Sequence, residues 1–141
     1  VTATDISEKA LNIARQNIEK ILSSKGIDLY LSDWFNELSH QKYNLIISNP
    51  PYIAEGDKHL KDLEYEPISA LTSGKDGMDS INDIINNAPK FLEKGGFLLI
   101  EHGYDQANAV RDLLEKDFHN IKKYQDLSGN DRATIAQVRI F

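Results

Sequence analysis

Apolar positions along this chain switch repeatedly between a period of two and a period of three to four. Val1-Thr2-Ala3-Thr4-Asp5 reads as a short strand. Ser7 then offers an N-cap and Glu8 an acid in the first turn, and Ala10, Leu11, Ile13, Ala14, Ile18, Ile21 and Leu22 follow at helical spacing until Gly26. Ile27 to Leu31 alternates as a second strand that ends at Asp33-Trp34, and the unbroken run Tyr43 to Ser48 has the composition of a buried parallel strand. Residues 53–77 are polar and rich in Gly, Pro and acidic side chains, longer than a plain connection needs. Met78 to Leu92 predicts a helix with Ile81, Ile84, Ile85, Ala88 and Leu92 on one face, kinked or ended by Pro89. Gly95-Gly96 leads into the strand Phe97 to Ile100, Gln106 to Phe118 predicts another amphipathic helix, and Ile121 to Tyr124 with Thr134 to Ile140 form a strand pair around Gly129-Asn130-Asp131.

Strands alternating with helices imply an α/β fold: a largely parallel sheet with right-handed crossovers, in which the closing hairpin places one antiparallel strand. The 141 residues suffice for one domain, 1–141, with a core of its own. Hydrophobic content of 40% and charged content of 27% are those of an ordinary water-soluble protein. No apolar run reaches membrane-spanning length and no basic-then-apolar leader opens the sequence. The lack of cysteine removes disulfides and thiolate metal sites and fits a cytoplasmic setting.

The formal net charge is −6, and Lys122-Lys123 is the one adjacent pair of basic residues. A duplex-binding surface needs a cationic footprint, so direct nucleic-acid binding is not expected. His40, His59, His102 and His119 lack metal-ligand spacing. They are read as surface or structural residues, and no metal is expected.

Chemistry concentrates at Asn49-Pro50-Pro51-Tyr52, directly after the third strand. Open α/β sheets bind ligands beyond the carboxyl ends of their strands. An amide or aniline-like nitrogen is a poor nucleophile because its lone pair is delocalised. The Asn49 side-chain oxygen and the Pro50 carbonyl can each accept one N–H of such a group, which frees the pair and aims it. Two prolines fix this backbone, and Tyr52 can stack on a planar target. The arrangement suits methyl transfer to a planar nitrogen; the plainer reading is a strand terminator. Asp5 ends the first strand just before a helix, where an acid either accepts from ribose hydroxyls or caps the helix, and the residue alone supports both equally. Asp33-Trp34 ends the second strand and could receive an adenine ring, or be a turn aspartate beside a core tryptophan. Three polar side chains ending consecutive strands make the pattern of a ligand crevice.

These stretches resemble the HemK/PrmC family of protein-(glutamine-N5) methyltransferases. The tetrapeptide is shared by several amino-methyltransferase families. The discriminating segments are Ser32-Asp33-Trp34-Phe35, Tyr65-Glu66-Pro67 with Ala70-Leu71, Gly74 to Met78, Phe97 to Gly103, and Asp126 to Arg132. The resemblance implies a Rossmann-like class I fold that uses S-adenosyl-L-methionine. It implies methylation of the glutamine side-chain amide in the Gly-Gly-Gln motif of peptide-chain release factors. Carried over, Asp5 is a ribose ligand, Asp33 and Trp34 contact adenine, and Asn49 touches cofactor and glutamine. Pro50, Pro51 and Tyr52 complete the glutamine pocket, and Glu66 lines the substrate cleft; Glu101 and His102 face the site or are structural. The family's first strand with its Gly-rich loop and its N-terminal helical domain have no counterpart here. The expectation is therefore a partial domain that rearranges or self-associates through unpaired strand edges. The readings set against this one are a nucleic-acid (adenine or guanine) amino-methyltransferase and a truncated, inactive binding module.

Overall fold

The computed structural model describes residues 1–22, 26–39, 41–63 and 65–140, so the readings of the His40 and His59 side chains lie outside it. The chain divides into two compact units, Val1–Gln41 and Lys42–Phe141.

In the first unit, strand β1 (Thr2–Asp5) leads into helix α1 (Glu8–Leu22) and strand β2 (Asp28–Leu31). The two strands pair in parallel, with Asp5 opposite Leu31. Ser7 is the N-cap: its Oγ accepts the Ala10 N–H at 3.3 Å. Leu11 is the buried residue of α1, and α1 packs against both strands. Gly26, at φ +100, makes the turn into β2, a conformation that side chains with a Cβ avoid.

The second unit contains β3 (Tyr43–Ser48), α2 (Asp79–Asn87), β4 (Leu92–Glu101), α3 (Ala107–Leu114), β5 (Phe118–Gln125) and β6 (Asp131–Val138). Its sheet has the order β3-β4-β6-β5. β3 and β4 are parallel, and β6 runs antiparallel to both its neighbours, the one reversed strand that the hairpin implied. Ile81, Ile84 and Ile85 of α2, Val110 and Leu114 of α3, and Leu98 and Ile100 of β4 are buried, together with Phe118, Ala136 and Val138.

The structure departs from the sequence reading at several points. Pro89 ends the helix, one of the two effects expected of it: it cannot supply a helical N–H, so α2 stops at Asn87 and a 3-10 turn, Ala88–Lys90, follows. Leu92 belongs to β4, paired with Tyr43, and not to the helix. The register then jumps, Leu45 pairing with Phe97, so residues 93–96 bulge from the ladder. The bulge needs its glycines: Gly95 has φ +74, and a Cβ on Gly96 would press on the Tyr43 and Asn44 carbonyl oxygens at 3.1 and 3.2 Å. Phe118 opens β5 rather than closing α3, and it is fully buried. β3 is not buried on both sides: Leu45 and Ile47, which share one face, are 47% and 68% exposed. It is an edge strand of its sheet, with β4 its only ladder partner among the described residues. The described residues of the stretch 53–77 are tied back at several points. They contain two 3-10 turns, Lys58–Leu63 and Ile68–Ala70, and a parallel bridge from Ile53 to Thr72.

The β5–β6 turn is organised by one carboxylate. Asp126 Oδ1 accepts the N–H groups of Ser128 at 2.9 Å and Asn130 at 3.0 Å, and Oδ2 accepts from Arg132 Nη2 at 3.3 Å. The Asn130 N–H is the chief cause that holds its pKa below the usual carboxylate value, against an opposing desolvation push; Ser128 and Arg132 add to the lowering. Because the folded-state pKa is the lower one, the stabilisation is complete above the ordinary carboxylate pKa and disappears as pH falls through the folded value. Asp126→Asn is thus expected to lower the melting temperature at neutral pH, and the difference from the parent should narrow as pH falls below the ordinary carboxylate range, as measured by thermal denaturation.

Candidate active site

The tetrapeptide follows β3 at its carboxyl end. Pro50 is fully buried and anchors the turn, and Pro51 is half-buried. The Asn49 side chain is exposed and has no hydrogen-bond partner among the described residues, so its oxygen can accept from a bound group. Tyr52 is held at both ends. Its hydroxyl donates to Glu101 Oε1 at 3.2 Å, and its carbonyl accepts from Gln106 Nε2 at 3.0 Å. The chain beyond it pairs with residues 71–74: Ile53 N–H donates to the Leu71 carbonyl and Ser73 N–H to the Ile53 carbonyl.

Glu101 sits at the end of β4, next to β3, and Ala133 of β6 is its register partner. Arg132, adjacent in β6, is drawn to Asp126 and lies beside the Tyr52 phenol. Burial pushes the Tyr52 pKa above its ordinary value, and the Glu101 carboxylate raises it further while Arg132 opposes. Tyr52 is therefore a neutral donor and aromatic wall at physiological pH, not a base. Tyr52→Phe removes the hydroxyl bond but leaves the ring. It is expected to cost about 1 kcal/mol of stability and only a few-fold in turnover, checked by denaturant unfolding beside steady-state kinetics.

His102 is structural. It is buried, its Nδ1 donates to the Gly103 carbonyl at 2.9 Å, and its Nε2 pairs with Thr134 Oγ1 at 2.9 Å. Glu66 is exposed, and no hydrogen bond or ion pair links it to the tetrapeptide among the described residues. Gln106 and the Arg132–Tyr52 contact were not read from the sequence. Their partners lie 54 and 80 positions away, beyond any local period, and Arg132 was visible only as part of a turn motif.

In the first unit, Asp5 and Asp33 close adjacent parallel strands, and the Ser32 N–H donates to the Asp5 carbonyl at 3.0 Å. Asp5 is exposed, with Oδ1 accepting the Ser7 N–H at 2.7 Å and its other oxygen open. The capping role falls to Ser7; Asp5 braces it. Trp34 is half-buried, not a core residue, and has φ +48. A left-handed backbone is rare for a bulky side chain and costs about 1–3 kcal/mol; it persists where its surroundings over-determine it, often at ligand sites. Here buried Ser32 enforces it: the Ser32 hydroxyl donates to the Trp34 carbonyl at 3.1 Å and accepts the Glu37 N–H at 3.0 Å. The two groups of candidate residues stand on separate sheets.

Residues 1–66 match the family described as "Methyltransferase small domain", a stretch that takes in Asp5, Asp33, Trp34, the tetrapeptide and Glu66. The release factor glutamine methyltransferase of Pseudomonas aeruginosa is 42% identical over 140 residues, which cover 97% of this chain and 50% of that protein. The enzyme of the same name from Buchnera aphidicola is 44% identical, again over 97% of this chain and 50% of its own length. Over nearly its whole length this chain is similar to these release factor glutamine methyltransferases. It spans about half the length of those curated relatives. Among solved structures, a methyltransferase from Pyrococcus furiosus superposes with a TM-score of 0.72 at 19% identity, covering 99% of this chain and 63% of that one. A putative methyltransferase from Streptococcus mutans, in complex with SAH, gives 0.67 at 21% identity over 98% and 75% of the two chains. These likenesses show the fold: the Rossmann-like α/β fold of class I methyltransferases. The likeness to the release factor glutamine methyltransferases covers 97% of this chain and so extends past residue 66.

Proposed function

We propose that these residues serve the transfer of a methyl group from S-adenosyl-L-methionine to the side-chain amide nitrogen of glutamine in the Gly-Gly-Gln motif of peptide-chain release factors. The observation that carries it is the tetrapeptide's setting. Asn49 is open to a ligand while the chain after it is anchored by buried Pro50, ring-locked at Pro51 and tied down at Tyr52. The names of the relatives matched over 97% of the chain supply the substrate.

The donor supplies an electrophilic methyl on a sulfonium sulfur. The residues of this chain bind and orient. The Asp5 carboxylate accepts from a ribose diol, and Asp33 with Trp34 receives the adenine. Asn49 Oδ1 and the Pro50 carbonyl each accept one N–H of the glutamine amide, which directs its lone pair toward the methyl. Pro51 keeps those acceptors rigid, and the Tyr52 ring covers the amide plane. No general base has to act beforehand, because the nitrogen sheds its proton after it gains the methyl. Glu66 lines the approach of the protein substrate. The setting is the cytoplasm, and self-association through the edge of β3 is a further expectation that a monomeric mass in sedimentation would refute.

The deciding experiment offers the complete natural protein a release factor, transfer and ribosomal RNA, and duplex DNA in parallel with radiolabelled donor. Label is expected in the release factor alone, and to vanish when its motif glutamine is changed to alanine. Label in nucleic acid and none in release factor would overturn the proposal.

A further inference from the structure

Gln106 is the N-cap residue of α3 and is almost fully buried. Its Oε1 accepts the Gly103 N–H at 2.8 Å, which fixes the orientation of the amide. Nε2 therefore faces two main-chain acceptors and donates to both: the Tyr52 carbonyl at 3.0 Å and the Asp76 carbonyl at 3.2 Å. One side chain thus joins the turn after β4, the segment after β3 and the loop before α2.

We propose that Gln106 is a positioning residue for methyl transfer, acting through the Tyr52 carbonyl on the acceptor geometry of Asn49 and Pro50. This rests on the functional reading above. The Pro51 ring locks one of the torsions between the Pro50 and Tyr52 carbonyls and holds the Pro50 residue before it extended, so the two carbonyls are joined by a short, stiffened segment. Holding the latter narrows the directions open to the former. Tyr52 is also held through its hydroxyl by Glu101, so Gln106 supplies the second point that prevents the residue from pivoting. A helix-capping role alone does not account for this geometry. The Gln106 side chain gives no N-cap hydrogen bond to α3 and spends its donors on distant carbonyls.

The test uses two variants of the complete natural protein. Gln106→Leu deletes all three bonds at similar volume. Gln106→Glu keeps the acceptor for Gly103 but sets an oxygen without a hydrogen against two carbonyls. Both are expected to lower kcat by about 10- to 100-fold, the scale of a misplaced reacting group, with KM for S-adenosylmethionine within about twofold of the parent. Hydrogen–deuterium exchange should quicken in peptides spanning residues 49–56 and 74–78, with α2 and β4 unchanged. A kcat within about threefold of the parent in both variants would refute the proposal. So would faster exchange spread evenly over the unit, the signature of a merely structural role. Failure of the unaltered protein to methylate release factor would sink the functional reading instead, and the exchange pattern would still decide whether Gln106 fixes the tetrapeptide.

Discussion

Replacing Asn49 by alanine is expected to cut methyl transfer by about 10²- to 10³-fold, the usual cost of losing one preorganised group at a reacting centre. The chain should keep its fold. Asn49 is exposed and bonded to no other described residue, whereas its neighbour Pro50 is the buried anchor. Surface substitutions of that kind typically change stability by less than about 0.5 kcal/mol. The loss should appear in kcat, because the lone pair must be freed in the transition state and not in the ground state. Asn49→Asp keeps an acceptor oxygen in place and should retain more turnover than alanine. The order Asn, Asp, Ala in kcat, measured with release factor as substrate beside circular dichroism, is the expected result. Equal rates for parent and Asn49→Ala would mean that the glutamine amide is activated by some other group.

Local pattern carried the framework because it is written in short range. β3 ends where its apolar run ends, Ser7 caps the helix that follows it, and Pro89 stops α2 as a residue without an N–H must. Where the reading failed, a longer-range term decided. Leu92 has helical spacing to Ile85 and Ala88, but pairing with Tyr43 draws it into β4, and the two glycines absorb the register jump. Phe118 continues the apolar face of α3, yet it closes the core as the first residue of β5. The site shows the same division. Asn49 to Tyr52 are contiguous and legible. Whether Asp5 or Ser7 caps α1 is answered by the Ser7 hydroxyl, and His102 has both ring nitrogens engaged, by Gly103 and Thr134, neither of which local sequence reports. The Glu101, Arg132 and Gln106 contacts to Tyr52 connect β4, β6 and α3, and no periodicity reports them.

Gly77→Ala is expected to harm catalysis far more than Gly74→Ala, although both glycines lie in the same loop and both have a left-handed backbone, at φ +76 and φ +69. The conformational cost of a Cβ there, about 1–2 kcal/mol, is common to the two and cancels in the comparison. What differs is the obstacle. At Gly74 a methyl group would meet the Asp79 carboxylate, the end of a side chain that can rotate away. At Gly77 it would overlap the Tyr52 carbonyl oxygen and crowd Gln106 Nε2 at 2.8 Å. Neither of these can yield cheaply, since the first is main chain braced by two prolines and the second is one of the bonds that hold it. Overpacking of this kind adds about 1–3 kcal/mol, and the displacement falls on Tyr52, the residue proposed to cover the glutamine. Gly77→Ala should therefore lose at least about tenfold in kcat, on the scale of a small misplacement of reacting groups, while Gly74→Ala stays near the parent once both are assayed below their melting temperatures. Equal losses in the two variants would mean that the loop matters for stability alone, and that the Tyr52 carbonyl is not what Gly77 makes room for.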